Sequence, residues 1–326
     1  MKHWLICCCC LAWAVPAMAQ QETEALAWLN RLVTAAHKLN YSGTFVFQRG
    51  GRTETSRITH LLEGKRELER LEVLDGSPRE VIRNNDEVTC YMPDSRTMIV
   101  EKRSRQHTFP ALLPASLGSL TDYYVIRKGQ TGRVAGLESQ SLILEPKDEL
   151  RYGHQMWADT ATGLLLKAEL MNERNDPIET FAFTQLQIGG PIDPQSLKSK
   201  SVVNGDQKGG WRVRNVRTYA ERGDDAGWQF KVQLPGFHKM AGQKHKPRPG
   251  SSESLHIVFS DGLAAISVFI EPLASASEQD KLELGMFSIG GINVYRRIVG
   301  DHLLVVMGEV PELSLRRLGD GIEHKR

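Results

Sequence analysis

"YSGTFVFQRGG", residues 41–51, decides the fold. It follows a helix-like run with almost no intervening loop. Side chains along a strand alternate between faces. Tyr41, Gly43, Phe45 and Phe47 therefore point one way, and Ser42, Thr44, Val46 and Gln48 the other. One face is strongly aromatic in a chain with an aromatic content of only 7%. Such a face is either an ordinary core or the wall of an apolar cavity.

Upstream, "TEALAWLNRLVTAAHKLN" (23–40) reads as an amphipathic helix. Leu26, Leu29, Val33, Ala36 and Leu39 fall on one stripe, with Thr23 as N-cap and Asn40 as a left-handed terminator. Downstream, strand signals follow in close order: "RTETSRITHLLE" and "KRELERLEVL" about Gly64, then "PREVIRN" and "EVTCYM" about Asn84-Asn85-Asp86. "RTMIVEK" comes after a Pro93-Asp94-Ser95 turn. Short antiparallel strands in sequence order form a meander, and a meander of this length curls. The pattern breaks at 109–120, "FPALLPASLGSL", an apolar insertion suited to covering the mouth of a curled sheet. Strands resume with "GRVAG", "SQSLILEP", "RYGHQMWAD", "TGLLLKAELMN" and "IETFAFTQLQI", which puts Phe181 and Phe183 on one face.

The first unit therefore spans residues 20–188. Residues 189–210, rich in Gly, Pro, Ser and Lys, read as a linker. Residues 211–318 read as a smaller α+β unit. It opens with "WRVRNVRTY", holds hairpins at Asp261-Gly262 and Gly300-Asp301, and ends in a helix started by Pro311. Residues 235–250 read as a basic loop, and 319–326 as a frayed tail.

Residues 1–19 have the form of an export signal: Lys2 and His3, then the apolar "LICCCCLAWAV", then Ala17-Met18-Ala19 before Gln20. The reading is of a soluble protein outside the cytoplasm. Four of the five cysteines lie in that signal, which leaves Cys90 as a single thiol, expected to be buried and structural. Removing the signal leaves a net charge near +1, and that balance, with export, argues against a nucleic-acid partner.

Catalytic marks are few. No His-Glu-x-x-His, phosphate-cradling glycine loop or Gly-x-Ser-x-Gly elbow is present, and no cofactor or metal is called for. Two features point to binding. The first is the aromatic set Tyr41, Phe45, Phe47, Tyr91, Trp157, Phe181 and Phe183, either a filled core or the wall of an apolar, lipid-binding space. The second is clustered positive charge: Lys102, Arg103 and Arg105 before the insertion, Arg212 and Arg214 on one strand, and the Arg296-Arg297 pair. Arginine forks suit carboxylates and phosphates, while the plainer account is solvated strand edges.

Long ordered blocks in both units then resemble the MucB/RseB family: "LNYSGTFVFQRG", "GRVAGLESQSLILEPKDELRYGHQMWAD" and "TGLLLKAEL" in the first, "LPGFHKM", "FSDGLAAISVFIEP" and "GGINVYRRIVGDHLLVVMGEVP" in the second. The resemblance implies an α+β protein: an unclosed antiparallel β-barrel of lipoprotein-carrier type packed on helices, then a smaller α+β domain. It implies a non-enzymatic periplasmic negative regulator of sigma-E. Such a protein binds the periplasmic domain of a membrane anti-sigma factor (RseA or MucA) and shields it from site-1 proteolysis. Lipopolysaccharide or another lipid acts as releasing effector, and the protein self-associates. On that footing Lys102, Arg103 and Arg105 are assigned to lipid phosphates at the cavity rim, and Arg212, Arg214, Arg296 and Arg297 to the anti-sigma segment. A periplasmic lipid carrier is the alternative.

Overall fold

The computed structural model describes residues 14–102, 117, 120–203, 210–216, 227–245, 254–273, 282–289 and 291–325. The protein is mostly β. Twelve strands form the first sheet: β1 (Tyr41–Arg49), β2 (Arg52–Glu63), β3 (Arg66–Val73), β4 (Glu80–Asn84), β5 (Glu87–Met92), β6 (Thr97–Lys102), β7 (Tyr124–Val134), β8 (Leu137–Pro146), β9 (Gly153–Asp159), β10 (Leu165–Met171), β11 (Pro177–Ile188) and β12 (Arg212–Val216). Their spatial order is β12-β6-β5-β4-β3-β2-β1-β11-β10-β9-β8-β7, so the sheet does not close. The quoted strand sits at its centre. β1 pairs with β2 on one side and β11 on the other, with Phe45 opposite Phe183 and Phe47 opposite Phe181.

Helix α1 runs Ala14–Lys38, beginning before Thr23 and continuing through Ala19. The alanine- and glutamine-rich stretch favours helix, and Pro16 falls in the first turn, where its missing N–H costs little. Ala25, Leu29, Leu32 and Ala35 of α1 join one buried cluster with Tyr41, Phe45, Phe181 and Phe183. The buried stripe is thus rotated by about one residue from the expected one, and Leu26, Val33 and Leu39 border it. Burying a side chain of this size stabilises the fold by about 1.5–3 kcal/mol. Asn40 does not adopt the left-handed conformation expected of it; among the described residues the non-glycine residues with positive φ are Asn85, Arg96, Ala135 and Asn175. Its Oδ1 instead accepts the Leu62 amide at 2.8 Å and ties the helix exit to β2.

The second sheet has six strands: β14 (His238–His245), β15 (Ser254–Ser260), β16 (Ala265–Pro272), β17 (Gly285–Ile289), β18 (Ile292–Val299) and β19 (His302–Gly308), in the order β14-β15-β16-β19-β18-β17. Helix α4 (Glu312–Asp320) packs on it through Leu315 and Leu318. The smaller helices α2 (Leu120–Tyr123) and α3 (Lys200–Val203) belong to the first unit and its exit.

Several expectations are corrected. Residues 194–203 are docked rather than a bare linker. A 3-10 turn at Pro194–Leu197, capped by Asp193, buries Leu197 against Leu61 and Leu68. Ser199 donates to Glu80 at 2.5 Å, and Arg70 donates to the same carboxylate at 2.8 Å. The Pro, Ser and Asp residues that mark linkers are also cap formers. The first strand after this segment, β12, joins the first sheet by pairing parallel to β6. The "basic loop" contains β14, an edge strand, where positive charge guards an open edge. The "frayed tail" forms β20 (Ile322–His324) against β13 (Trp228–Phe230), with Ile322 fully buried. Cys90 is half-buried, not buried. The 109–120 insertion lies outside the described residues except for Leu117 and Leu120, both buried in the first core.

Candidate functional site

The two sheets meet at a junction with two parts. One is a fully buried joint made by three consecutive residues between β8 and β9. Leu150 inserts its side chain into the second core, and its carbonyl accepts the Ser314 hydroxyl at 2.6 Å. Tyr152 Oη accepts from Asn293 Nδ2 at 3.1 Å. Between them Arg151, 0% exposed, donates to Asp261 at 2.6 Å, to the Pro235 carbonyl at 2.6 Å and to Asp148 at 3.0 and 3.1 Å. Its guanidinium lies over Tyr123, Tyr124 and Phe237. Tyr124 Oη adds a 3.2 Å bond to Asp261. Burial, then the Asp261 charge, pushes the Tyr124 hydroxyl far above the ordinary tyrosine range, so it stays a neutral donor.

The other part is half-exposed. Register places His154, Leu170, Glu179 and Arg49 in one row across β9, β10, β11 and β1. Arg49 Nε donates to Glu179 at 2.7 Å, and its guanidinium also pairs with Glu309, which follows β19. One arginine thus joins a carboxylate of each unit. Burial, then the charge of Glu309, raises the Glu179 carboxyl to about 7 against the pull of Arg49. Desolvation pushes His154 down to about 4, so it is neutral at physiological pH. A cavity of about 300 Å³ lies here, bounded by Phe47, Met156, Leu170, Phe181 and Leu263 with these polar groups. A second hollow of about 400 Å³ shares His154, Leu170, Leu263 and Glu309 and continues onto the second sheet past Phe269 and Met307. On the other side of Arg49 a cleft of about 900 Å³ opens between the mouth of the first sheet (Phe47, Arg52, Arg79, Met92) and Ile289 of β17. The junction offers apolar floor, three arginines and several carboxylates to an extended, mixed ligand.

The aromatic set divides. Phe45, Phe181 and Phe183 pack edge to face with centroids 4.9–6.0 Å apart, and Tyr41 stacks on His60 at 5.0 Å. These four are filled core. Phe47, under the Arg49 guanidinium, and one side of Phe181 reach the junction cavity. Trp157 and Tyr91 are not on that face. Met156 and Ala158 take the inward positions of β9, and Trp157 lies outward under Lys167 Nζ at 4.3 Å. Tyr91 packs against Trp211 at 6.0 Å. Alternation grouped Tyr41, Phe45 and Phe47, and Phe181 with Phe183; Tyr91 and Trp157 joined them by residue type, and strand parity separates these two.

The basic residues divide too. Arg103 and Arg105 lie outside the described residues, as does the side chain of Lys102. Arg212 and Arg214 are exposed on β12, and Arg212 reaches the Ser95 carbonyl at 3.3 Å. Arg296 lies over Phe287, and Arg297 donates to the Gly319 carbonyl at 3.2 Å. The two pairs share no partner among the described residues. The groups that join the sheets, Arg49, Arg151, Glu179, Asp261 and Glu309, escaped the sequence reading. The legible signal was Arg49, at the end of the aromatic face just before Gly50-Gly51. Among the described residues no group of three His, Cys, Asp or Glu side chains is set to hold a metal ion. No helix there is long and apolar enough to cross a membrane.

Against known proteins, the model of the MucB/RseB N-terminal domain matches residues 24–201 and that of the MucB/RseB C-terminal domain matches residues 222–323. The chain is 31% identical to the sigma factor AlgU regulatory protein MucB of Pseudomonas aeruginosa over 91% of this chain and 90% of that protein. It is 21% identical to the sigma-E factor regulatory protein RseB of Escherichia coli over 94% and 93%. Among solved structures, the Pseudomonas aeruginosa MucA/MucB complex aligns with TM-score 0.72 and 28% identity, covering 93% of this chain and 99% of that one. MucB alone aligns with TM-score 0.66 and 26% identity, covering 93% and 98%. Matched across both units by family models, and over nine-tenths of its length by a relative 31% identical to it, this chain belongs to the MucB/RseB family.

Proposed function

We propose that this chain is a periplasmic regulator of the sigma-E envelope-stress response. It binds the periplasmic segment of a membrane anti-sigma factor and shields that segment from the first protease cut. The observation that carries the reading is the full-length likeness to a protein solved in complex with MucA. The chain works as a binding protein and not as an enzyme, exported by its first nineteen residues. Residues 20–188 act as a lipoprotein-carrier-like half-barrel and 189–210 as the connection; of 211–318, β12 extends the first sheet and the remainder acts as the smaller domain, to which Ile322 adds its side chain. Two separate buried clusters support that division.

The anti-sigma segment lies between the two units, in the cleft beside Arg49, with Arg212, Arg214, Arg296 and Arg297 providing positive charge around its approach. A lipid of lipopolysaccharide type is the effector. Its acyl chains meet the aromatic face where Phe47 and Phe181 reach the cavity, and its phosphates meet Lys102, Arg103 and Arg105. It releases the anti-sigma segment only to the extent that it prefers the form unable to hold it. Self-association is proposed on the family likeness, for sedimentation to test. The whole reading is tested by digesting the purified anti-sigma segment with the site-1 protease. The mature chain should slow cleavage, and lipopolysaccharide should restore it; cleavage at the same rate with and without the chain would overturn the reading.

A further inference from the structure

The two parts of the junction differ in kind. The joint at Leu150, Arg151 and Tyr152 is sealed, and every guanidinium nitrogen of Arg151 has a partner. The Arg49–Glu179–Glu309 contact is half-exposed and borders open space on both sides. A body fixed at one end and clasped at the other turns about the fixed end. We infer that the two units hinge about the 150–152 joint, with Arg49, Glu179 and Glu309 as a proton-sensitive clasp that closes the cleft in acid and loosens it as pH rises.

The direction follows from which state holds the proton. In the closed junction, burial and the facing Glu309 make Glu179 keep its proton up to about pH 7. Opening removes Glu309 and admits water, so its affinity falls toward that of an ordinary carboxylate. Protonation therefore favours the closed form below about pH 7, and this preference is lost as pH rises through that value. Other charged groups face the same place. Arg49 on β1 is the cation of this contact, and Arg52 lies opposite it on β2. Glu169 on β10 is held by Lys167 at 2.7 Å. His154 on β9 is already neutral across this range. On the second unit Leu263 is apolar and Glu309 is the charged contact. Glu179 is the group whose proton changes with the opening.

What the cleft holds rests on the function proposed above; the hinge does not, because it is measured on the chain alone. Spin labels at Lys65→Cys and Arg317→Cys, in a Cys90→Ser background, report the distance between the units. Going from pH 5 to pH 8, the open-to-closed ratio should rise on the order of 50-fold. Glu179→Gln, which keeps a hydrogen-bonding side chain at Arg49, should abolish the change, and Glu309→Gln should lower its midpoint. His154→Gln should leave it intact. A distance distribution that does not move with pH, or one that moves equally in Glu179→Gln, overturns the inference.

Discussion

Replacing Arg151 with methionine tests the joint between the sheets. The guanidinium is 0% exposed, and so is its partner Asp261. Methionine fills the space between Tyr123, Tyr124 and Phe237 but leaves the Asp261 carboxylate buried with only the Tyr124 hydroxyl and turn amides as donors. Breaking one side of a buried ion pair costs roughly 3–5 kcal/mol, because the remaining charge is uncompensated. Asp148 loses little, being 30% exposed and open to water. The companion change is Asp261→Asn. Its Oδ1 still accepts the Leu263 and Ala264 amides, now bonded at 2.9 and 2.8 Å, so the turn survives. Its amide can donate to the Tyr124 hydroxyl. The double variant should therefore recover about 1–3 kcal/mol relative to the sum of the singles. Urea unfolding followed by tryptophan fluorescence measures all three. A single-variant cost below about 1 kcal/mol, or strictly additive costs, would refute the view that this pair holds the units together.

Further outcomes follow from other contacts. Glu67 is held well below the ordinary carboxylate range: burial raises it, but hydrogen bonds from His37 and His60 at 3.0 and 3.2 Å outweigh that. Its contribution is present above the unfolded pKa near 4.5 and is lost as pH falls below it. Melting temperature should accordingly drop more steeply between pH 5 and 3 than in Glu67→Gln, and parallel curves would contradict this. Gly43→Ala places a methyl 2.6 Å from the Gln185 carbonyl and 2.8 Å from the Phe183 ring, so thermal unfolding should show a loss of about 1–3 kcal/mol; an unchanged melt would mean that β1 and β11 part easily. Ile322→Ala should cost about 2–5 kcal/mol in urea unfolding, which a frayed terminus would not.

The centre of the fold was legible because its information is local. Alternation in 41–48 specifies a one-sided strand, and Asn85, expected in the turn after "PREVIRN", does take a left-handed conformation with φ 55°. The α1 stripe was legible to within one residue; which of several apolar positions is innermost depends on the curvature of the sheet it meets. What failed was long-range. Nothing in "WRVRNVRTY" announces that its strand pairs parallel to β6, more than a hundred residues earlier. An aromatic residue type favours an inward Trp157, yet a β10 lysine opposite it makes its outward ring a cation–π partner. The junction was invisible for the same reason. Arg151 and Asp261 are 110 residues apart, and Arg49 and Glu179 are 130 apart. Each alone reads as a surface charge or a turn residue, and only the folded register brings opposite charges together.

The most direct test of the central claim is titration calorimetry of the mature chain with the periplasmic segment of the anti-sigma factor, with and without lipopolysaccharide. The account predicts saturable binding to the segment, weakened when lipopolysaccharide is present. Tight binding to lipopolysaccharide with none to the segment would contradict it and favour a lipid carrier.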